Sequence, residues 1–184
     1  MIRKATIEDK DAIALCLLQA MEAIVYHFIG ENNPAEALSF LRHFVKREAN
    51  QYSYQNCWVA ESGGKVIAAV TLYNGADLYR LRQPVLDHIY HHYKQIIHPE
   101  DETVAGEFYI DSLGVLPAWQ GKGVGTQLLH FLVTEYVQKQ KQTLGLLVDN
   151  DNPGALRLYL RTGFLPTGEK TLLGKKMIHL QVNP

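Results

Sequence analysis

Residues 120–126 read Gln-Gly-Lys-Gly-Val-Gly-Thr, placing a glycine at every second position between a strongly apolar strand pattern at 107–115 and a long helical pattern at 123–140. In the helical part, Leu128, Leu132 and Tyr136 recur on one face with Leu129, Val133 and Val137 beside them. A strand that must turn through glycines straight into a helix restricts the fold to an α/β arrangement. It also creates a chemical opportunity. The first N–H groups of a helix have no helical partners, and the helix dipole adds about half a positive charge there. A pyrophosphate can accept those hydrogen bonds, and glycine allows both the close approach and the unusual φ values. Lys122 adds a charge and Thr126 a hydroxyl donor.

The elements around this turn follow from periodicity and punctuation. A short strand at 1–6 leads into a helix that Thr6 caps, with Asp9 completing a capping box. Ile13, Leu17, Ala20, Ile24 and Phe28 lie at helical spacing, and Gly30 marks the end. Asn33-Pro34 opens a second helix with Ala37, Phe40, Leu41, Phe44 and Val45 on one stripe. Residues 57–61 and 65–73 form a hairpin about Ser62-Gly63-Gly64. Residues 77–99 predict an amphipathic helical segment, interrupted at Pro84 and closed by Pro99. After the long helix come an apolar strand at 143–148 and a short helix at 153–161 that stops at Gly163. Two last strands, 164–171 and 175–182, turn near Gly174. The 184 residues predict a single domain, 1–184, without repeats or linkers.

Three phosphate-binding patterns compete for the glycine segment. The dinucleotide fingerprint G-x-G-x-x-G fails because the third glycine, Gly125, arrives one residue early. The P-loop ending Gly-Lys-Ser/Thr is absent. Gln120, Gly123 and Gly125 match the third pattern, Q/R-x-x-G-x-G/A, and Val115-Leu116-Pro117 resembles its usual lead-in. Further on, Asn152-Pro153-Gly154-Ala155-Leu156-Arg157-Leu158-Tyr159, followed by Gly163-Phe164, resembles an N-x-x-A-x-x-L-Y…G-F segment. Both motifs, in this order and at this spacing, are those of the GNAT superfamily of N-acetyltransferases, which the chain resembles. The resemblance extends loosely to Ile2-Arg3-Lys4-Ala5-Thr6 and Asp9, and is weakest over 74–102.

The resemblance implies a mixed, twisted sheet of about six or seven strands with helices on both faces. It also implies a cofactor cleft between two splayed parallel strands, here 107–115 and 143–148. It implies acetyl-CoA as cosubstrate, with backbone groups of Leu113 and Val115 pairing with the pantetheine arm. The pyrophosphate would lie on Gln120, Gly121, Lys122, Gly123, Val124, Gly125 and Thr126. Asn152 would touch the cofactor arm, although an N-cap before Pro153 explains it equally. Tyr159 matches the general acid that protonates the leaving thiolate; otherwise it packs with Leu156 and Leu160. A phenol, with an ordinary pKa near 10, stays protonated at neutral pH and can donate.

Glu107, Tyr109 and Asp111 alternate along the strand and share a face. Glu107 or Asp111 could take the proton of an acceptor amine, directly or through a water; either could equally be a structural salt bridge or hydrogen bond. His88, His91, His92 and His98 cluster in the segment least like the family, and His88 and His92 share a helical face. No carboxylate–histidine signature accompanies them, so a solvated face or part of an acceptor pocket is expected there and no metal site.

A formal net charge of −1 gives no electrostatic reason to expect nucleic acid. Residues 12–29 are interrupted by Gln19, Glu22 and His27, which reads as too polar for a membrane span, and no cleavage pattern follows. The expected compartment is the cytoplasm, with Cys16 and Cys57 as buried free thiols. The functions in contention are an N-acetyltransferase acting on a small-molecule or peptide amine and a non-catalytic acyl-CoA sensor of the same fold. A dehydrogenase-type nucleotide domain is disfavoured by its missing fingerprint. The last strand, 175–182, could serve a homodimer, as family resemblance suggests.

Overall fold

The computed structural model describes residues 1–184. Seven strands form one mixed sheet in the order β1-β2-β3-β4-β5-β7-β6. These are β1 (Ile2–Lys4), β2 (Cys57–Ser62), β3 (Lys65–Asn74), β4 (Phe108–Val115), β5 (Leu144–Asp149), β6 (Leu165–Leu172) and β7 (Lys175–Val182). The flanking helices are α1 (Lys10–Ile29), α2 (Pro34–Val45), α3 (Leu78–His88), α4 (Val124–Leu132) and α5 (Pro153–Arg161). The pair β4/β5 is parallel, whereas β1/β2, β2/β3, β5/β7 and β6/β7 are antiparallel. The chain divides into two compact units that interleave in sequence: Met1–Leu72, Tyr79–His98 and Ser112–Gly125 form the first, and Tyr73–Leu78, Pro99–Asp111 and Thr126–Pro184 the second.

In the first unit, the entry to α1 is fixed by Asp9. Its carboxylate accepts from the Thr6 amide at 2.9 Å and pairs with Arg3 at 2.7 Å, an arrangement that lowers the Asp9 pKa, chiefly through the Arg3 hydrogen bond. Gly30 ends α1 at φ 77°. Asn33 caps α2, its side chain accepting from the amides of Ala35 and Glu36. Phe40 of α2 lies against Phe28 and Phe44, with ring centroids 6.0 and 5.0 Å apart, and anchors the contact between the two helices. The Ile7–Ile29 stretch is long and apolar enough to cross a membrane, with mean hydropathy 1.8, contrary to the expectation drawn from its three polar residues. In this fold half of its apolar window is buried, with Ile13, Leu17, Val25 and Phe28 in the protein core.

Two expectations for residues 77–99 need correction. Helix α3 runs through Pro84 without interruption. Leu78, Leu81, Val85 and Ile89 are buried and hold the helix down, whereas Arg80 and Pro84 are exposed. Pro84 therefore sits on the exposed face of the helix, away from the packed side. The helix also ends before Pro99. It widens into a π-turn over Ile89–Tyr93 and stops at Lys94, which takes a left-handed φ of 58°.

In the second unit, β5 pairs antiparallel with β7 along its whole length: Leu144 faces Val182, Gly145 faces Gln181, and Leu147 faces His179. β6 and β7 close through Leu173 and Gly174, both at positive φ. Helix α5 starts at Asn152-Pro153 and ends at Thr162, with Gly163 at φ 98°. Tyr136, on the π-helical continuation of α4 (Val133–Lys139), packs on Phe108 at a centroid distance of 4.9 Å.

Gly114 of β4 lies so close to α1 that a Cβ would collide with the Cys16 carbonyl oxygen. Gly168 has open space around it. Gly114→Ala is expected to cost about 1–3 kcal/mol of stability, whereas Gly168→Ala should change it by less than about 0.5 kcal/mol. Urea unfolding of the two variants beside the parent chain measures both.

Candidate functional site

In the first unit, β4 leaves the sheet through a single 3-10 turn, Pro117–Trp119, and enters the glycine segment. Gly121 and Gly123 take φ 72° and 80°. Nothing lies within 4 Å of where a Cβ would stand on either residue. The two glycines are therefore required by backbone conformation and not by packing, and the space over them is open. Helix α4 begins directly afterwards at Val124, so its first amides point out of this turn without helical acceptors. Lys122 is exposed and its ammonium stands 5.1 Å from the centre of the Trp119 ring. Gln120 folds back, and its Nε2 donates to the Val115 carbonyl at 2.9 Å. That carbonyl is one of the groups expected for the pantetheine arm, so Gln120 already satisfies it here. Leu113 is half-buried on the same strand.

In the second unit, the parallel ladder pairs Phe108 with Leu144, Tyr109 with Gly145 and Ile110 with Leu146, and it goes no further. Both strands continue beyond these pairs, β5 on its β7 side as far as Asp149. The two carboxylates singled out at 107 and 111 have different surroundings. Asp111 is half-buried, and the Tyr73 hydroxyl lies 3.5 Å from its Oδ1 and 3.2 Å from Glu102 Oε1. Glu107, just ahead of β4, is buried and accepts three hydrogen bonds: Thr103 Oγ1 at 2.6 Å, Gln181 Nε2 at 2.8 Å and His179 Nε2 at 2.9 Å. Burial raises its pKa, but these donors together outweigh burial and hold the carboxyl below its ordinary value. To reach β7 the side chain passes over Gly145 of β5, where any Cβ would strike the carboxylate.

Tyr159 on α5 is half-buried, with its ring edge-on to Phe164 at 6.0 Å. Burial pushes its phenol above the ordinary value, so the hydroxyl stays protonated across the neutral range. Asn152 Oδ1 accepts from the Ala155 amide at 3.0 Å and is the N-cap of α5. Thr126, the last donor expected of the glycine segment, is half-buried one residue beyond Gly125. In the first unit His88 stacks on His92 at 5.0 Å and on His43 at 4.0 Å, and burial lowers the pKa of His43 to about 4. Cys16 and Cys57 are buried free thiols, and burial pushes Cys16 up to about 12.

The Acetyltransferase (GNAT) family model matches residues 25–164, a span that runs from α1 through the glycine turn to the end of α5. The chain belongs to the GNAT family of acetyltransferases. A solved acetyltransferase structure covers all of this GNAT chain and 98% of its own at 29% identity and a TM-score of 0.79. An N-acetyltransferase from Staphylococcus aureus Mu50 shares 23% identity over 99% of this chain and 100% of its own, with a TM-score of 0.76. The PaiA N-acetyltransferase of Thermoplasma acidophilum, solved in complex with coenzyme A, shares the fold at 16% identity and a TM-score of 0.60, covering 100% of this chain and 98% of its own. No curated protein matches the chain.

Sequence reasoning did not find the partners of Glu107 in this GNAT protein. His179 and Gln181 lie more than seventy residues away, on a strand whose spacing carries no motif. The one available signal was Gly145, a glycine inside an otherwise apolar strand, which marks close approach of another group.

The lowered pKa of Glu107 has a stability consequence. A carboxyl whose folded pKa lies below its unfolded value of about 4.3 stabilises the fold above that pH, and the contribution disappears as pH falls through the folded value. Glu107→Gln is therefore expected to be less stable than the parent chain at pH 7, with the gap narrowing as pH falls below about 4.3. Denaturant midpoints from pH 7 to pH 3 check the sign.

Proposed function

We propose that the chain acts over residues 1–184 as one acetyl-CoA-dependent N-acetyltransferase domain, moving acetyl directly to a primary amine of a small molecule or peptide. The observation that carries this reading is the glycine turn: two glycines at positive φ with open space above them, at the N-terminus of α4. That is the chemistry a pyrophosphate needs. Residues 120–126 hold the pyrophosphate, with Lys122 contributing charge. Leu113 and Val115 offer backbone groups to the pantetheine arm, and Gln120 releases the Val115 carbonyl when the cofactor enters. Asn152 supports the arm while capping α5.

Acetyl transfer from a thioester to an amine needs orientation, a neutral amine and a proton for the departing sulfur. Tyr159 donates that proton. Its phenol is kept neutral by burial. The amine's proton goes to the polar face that carries Glu107 and Asp111. The enzyme works in the cytoplasm, where its two thiols stay reduced. A homodimer is compatible with this reading, but not by strand pairing through β7, whose two edges are taken by β5 and β6.

The test is release of free CoA thiol from acetyl-CoA in the presence of a panel of primary amines. Tyr159→Phe is expected to lower turnover about a hundredfold while leaving acetyl-CoA affinity unchanged. A variant with parental turnover across the pH range contradicts the acid role.

A further inference from the structure

The hydrogen bonds around Glu107 do more than satisfy a buried carboxylate. An ionised carboxylate can only accept, so the His179 Nε2 that stands 2.9 Å from Glu107 Oε2 carries a proton. With Nε2 protonated, the basic lone pair of the neutral ring is on Nδ1. Thr167 Oγ1 lies 3.2 Å from that Nδ1 and also 3.2 Å from the His179 carbonyl oxygen. It has one hydrogen and two acceptors, so it can turn to the carbonyl and leave Nδ1 open.

Two separate irregularities build this arrangement. Pro166 pairs with Leu180 and Gly168 with His179, so Thr167 is the unpaired residue of a β-bulge. Bulges re-aim side chains, and this one aims a hydroxyl at the imidazole. On the other side, the Glu107 carboxylate can reach His179 only because residue 145 has no Cβ. A carboxylate 2% exposed, an imidazole 13% exposed and an exposed hydroxyl thus run in sequence from the interior to the surface.

The register places this row on the face that matters. Residues directly opposite one another in a ladder point to the same side. Tyr109 faces Gly145, Gly145 faces Gln181, and Leu147 faces His179. Asp111 follows Tyr109 by two residues and shares that side. His179 therefore stands on the same face as Glu107 and Asp111, at the level where the β4/β5 ladder has ended.

We propose that His179 is the general base that deprotonates the acceptor amine, with Glu107 as the positioning carboxylate that fixes its tautomer. The assignment rests on the acetyltransferase reading and resolves which group on the polar face takes the proton. The arriving ammonium gives one proton to Nδ1, and the imidazolium passes it to solvent past Thr167. The neutral nitrogen forms the C–N bond as the C–S bond breaks. The second proton leaves the nitrogen as the amide forms and replaces the one that Tyr159 gives to sulfur. Glu107 stabilises the imidazolium, while Asp111 and Tyr109 are the other titratable groups facing this side from β4.

The test is kcat and KM for CoA release across pH 5–10 for the parent chain, His179→Gln and Glu107→Gln, with the same amine panel. The parent is expected to show an acid limb in kcat. His179→Gln, whose amide can still donate to Glu107, should lose about a hundredfold in kcat near neutrality and rise steadily with pH, with the KM for acetyl-CoA unchanged. Glu107→Gln keeps an acceptor for Nε2 but removes the charge, so its acid limb should move to lower pH. A merely structural role would lower activity without altering the shape of either profile. If His179→Gln keeps the parental limb, the base assignment is overturned and the acetyltransferase reading stands. If the parent chain itself releases no CoA with any amine, both fall.

Discussion

Two glycines at positive φ carry the chain from β4 into α4, and the amides this turn leaves without helical partners are the constraint on which the site depends. No atom stands within 4 Å of where a Cβ would be on Gly121 or Gly123, and a side chain at either would be strained by the positive φ. The turn is held from below. On β4, Gly114 lets α1 come within contact of the strand, and the Leu116 amide donates to Ile67 at 2.9 Å. Farther along α4, Leu128, Leu129 and Leu132 are fully buried and fix the helix whose N-terminus the turn exposes. An anion is what such a feature can hold, and membership in the GNAT family makes coenzyme A the anion to expect.

The polar face of the second unit follows a different logic. Carboxylates among strands are costly unless they are satisfied, and Glu107 is satisfied three times over. Those donors keep it charged at neutral pH, which makes it a poor proton acceptor and a good orienting group. His179 holds the opposite position, partly open and with its second nitrogen against a hydroxyl that has somewhere else to bond. The chemistry assigned to this face thus comes from the division of labour between a buried anion and a neighbouring imidazole.

Local signals in the sequence located most of the fold. Gly30, Asn33-Pro34, Gly63-Gly64, the glycine turn and Asn152-Pro153 each mark an element boundary within a residue or two, because caps and turns depend on neighbours along the chain. Pro84 misled because its cost depends on which face of the helix it occupies, which only the packed helix decides. The candidate site was legible in the same uneven way. The glycine turn and Tyr159 sit in local motifs. The clasp of Glu107 over Gly145 onto His179 and Gln181 joins three strands in register, and no spacing along one strand encodes it. The bulge at Thr167 is likewise invisible without its partner strand.

The most direct measurement is calorimetric titration of the purified chain with acetyl-CoA, with NAD and ATP titrated in parallel. Saturable binding of acetyl-CoA near one equivalent is expected, with neither NAD nor ATP binding at similar concentration. A folded sample that binds no acetyl-CoA, or binds the other nucleotides equally well, would contradict the claim that the turn between β4 and α4 is a coenzyme A pyrophosphate site.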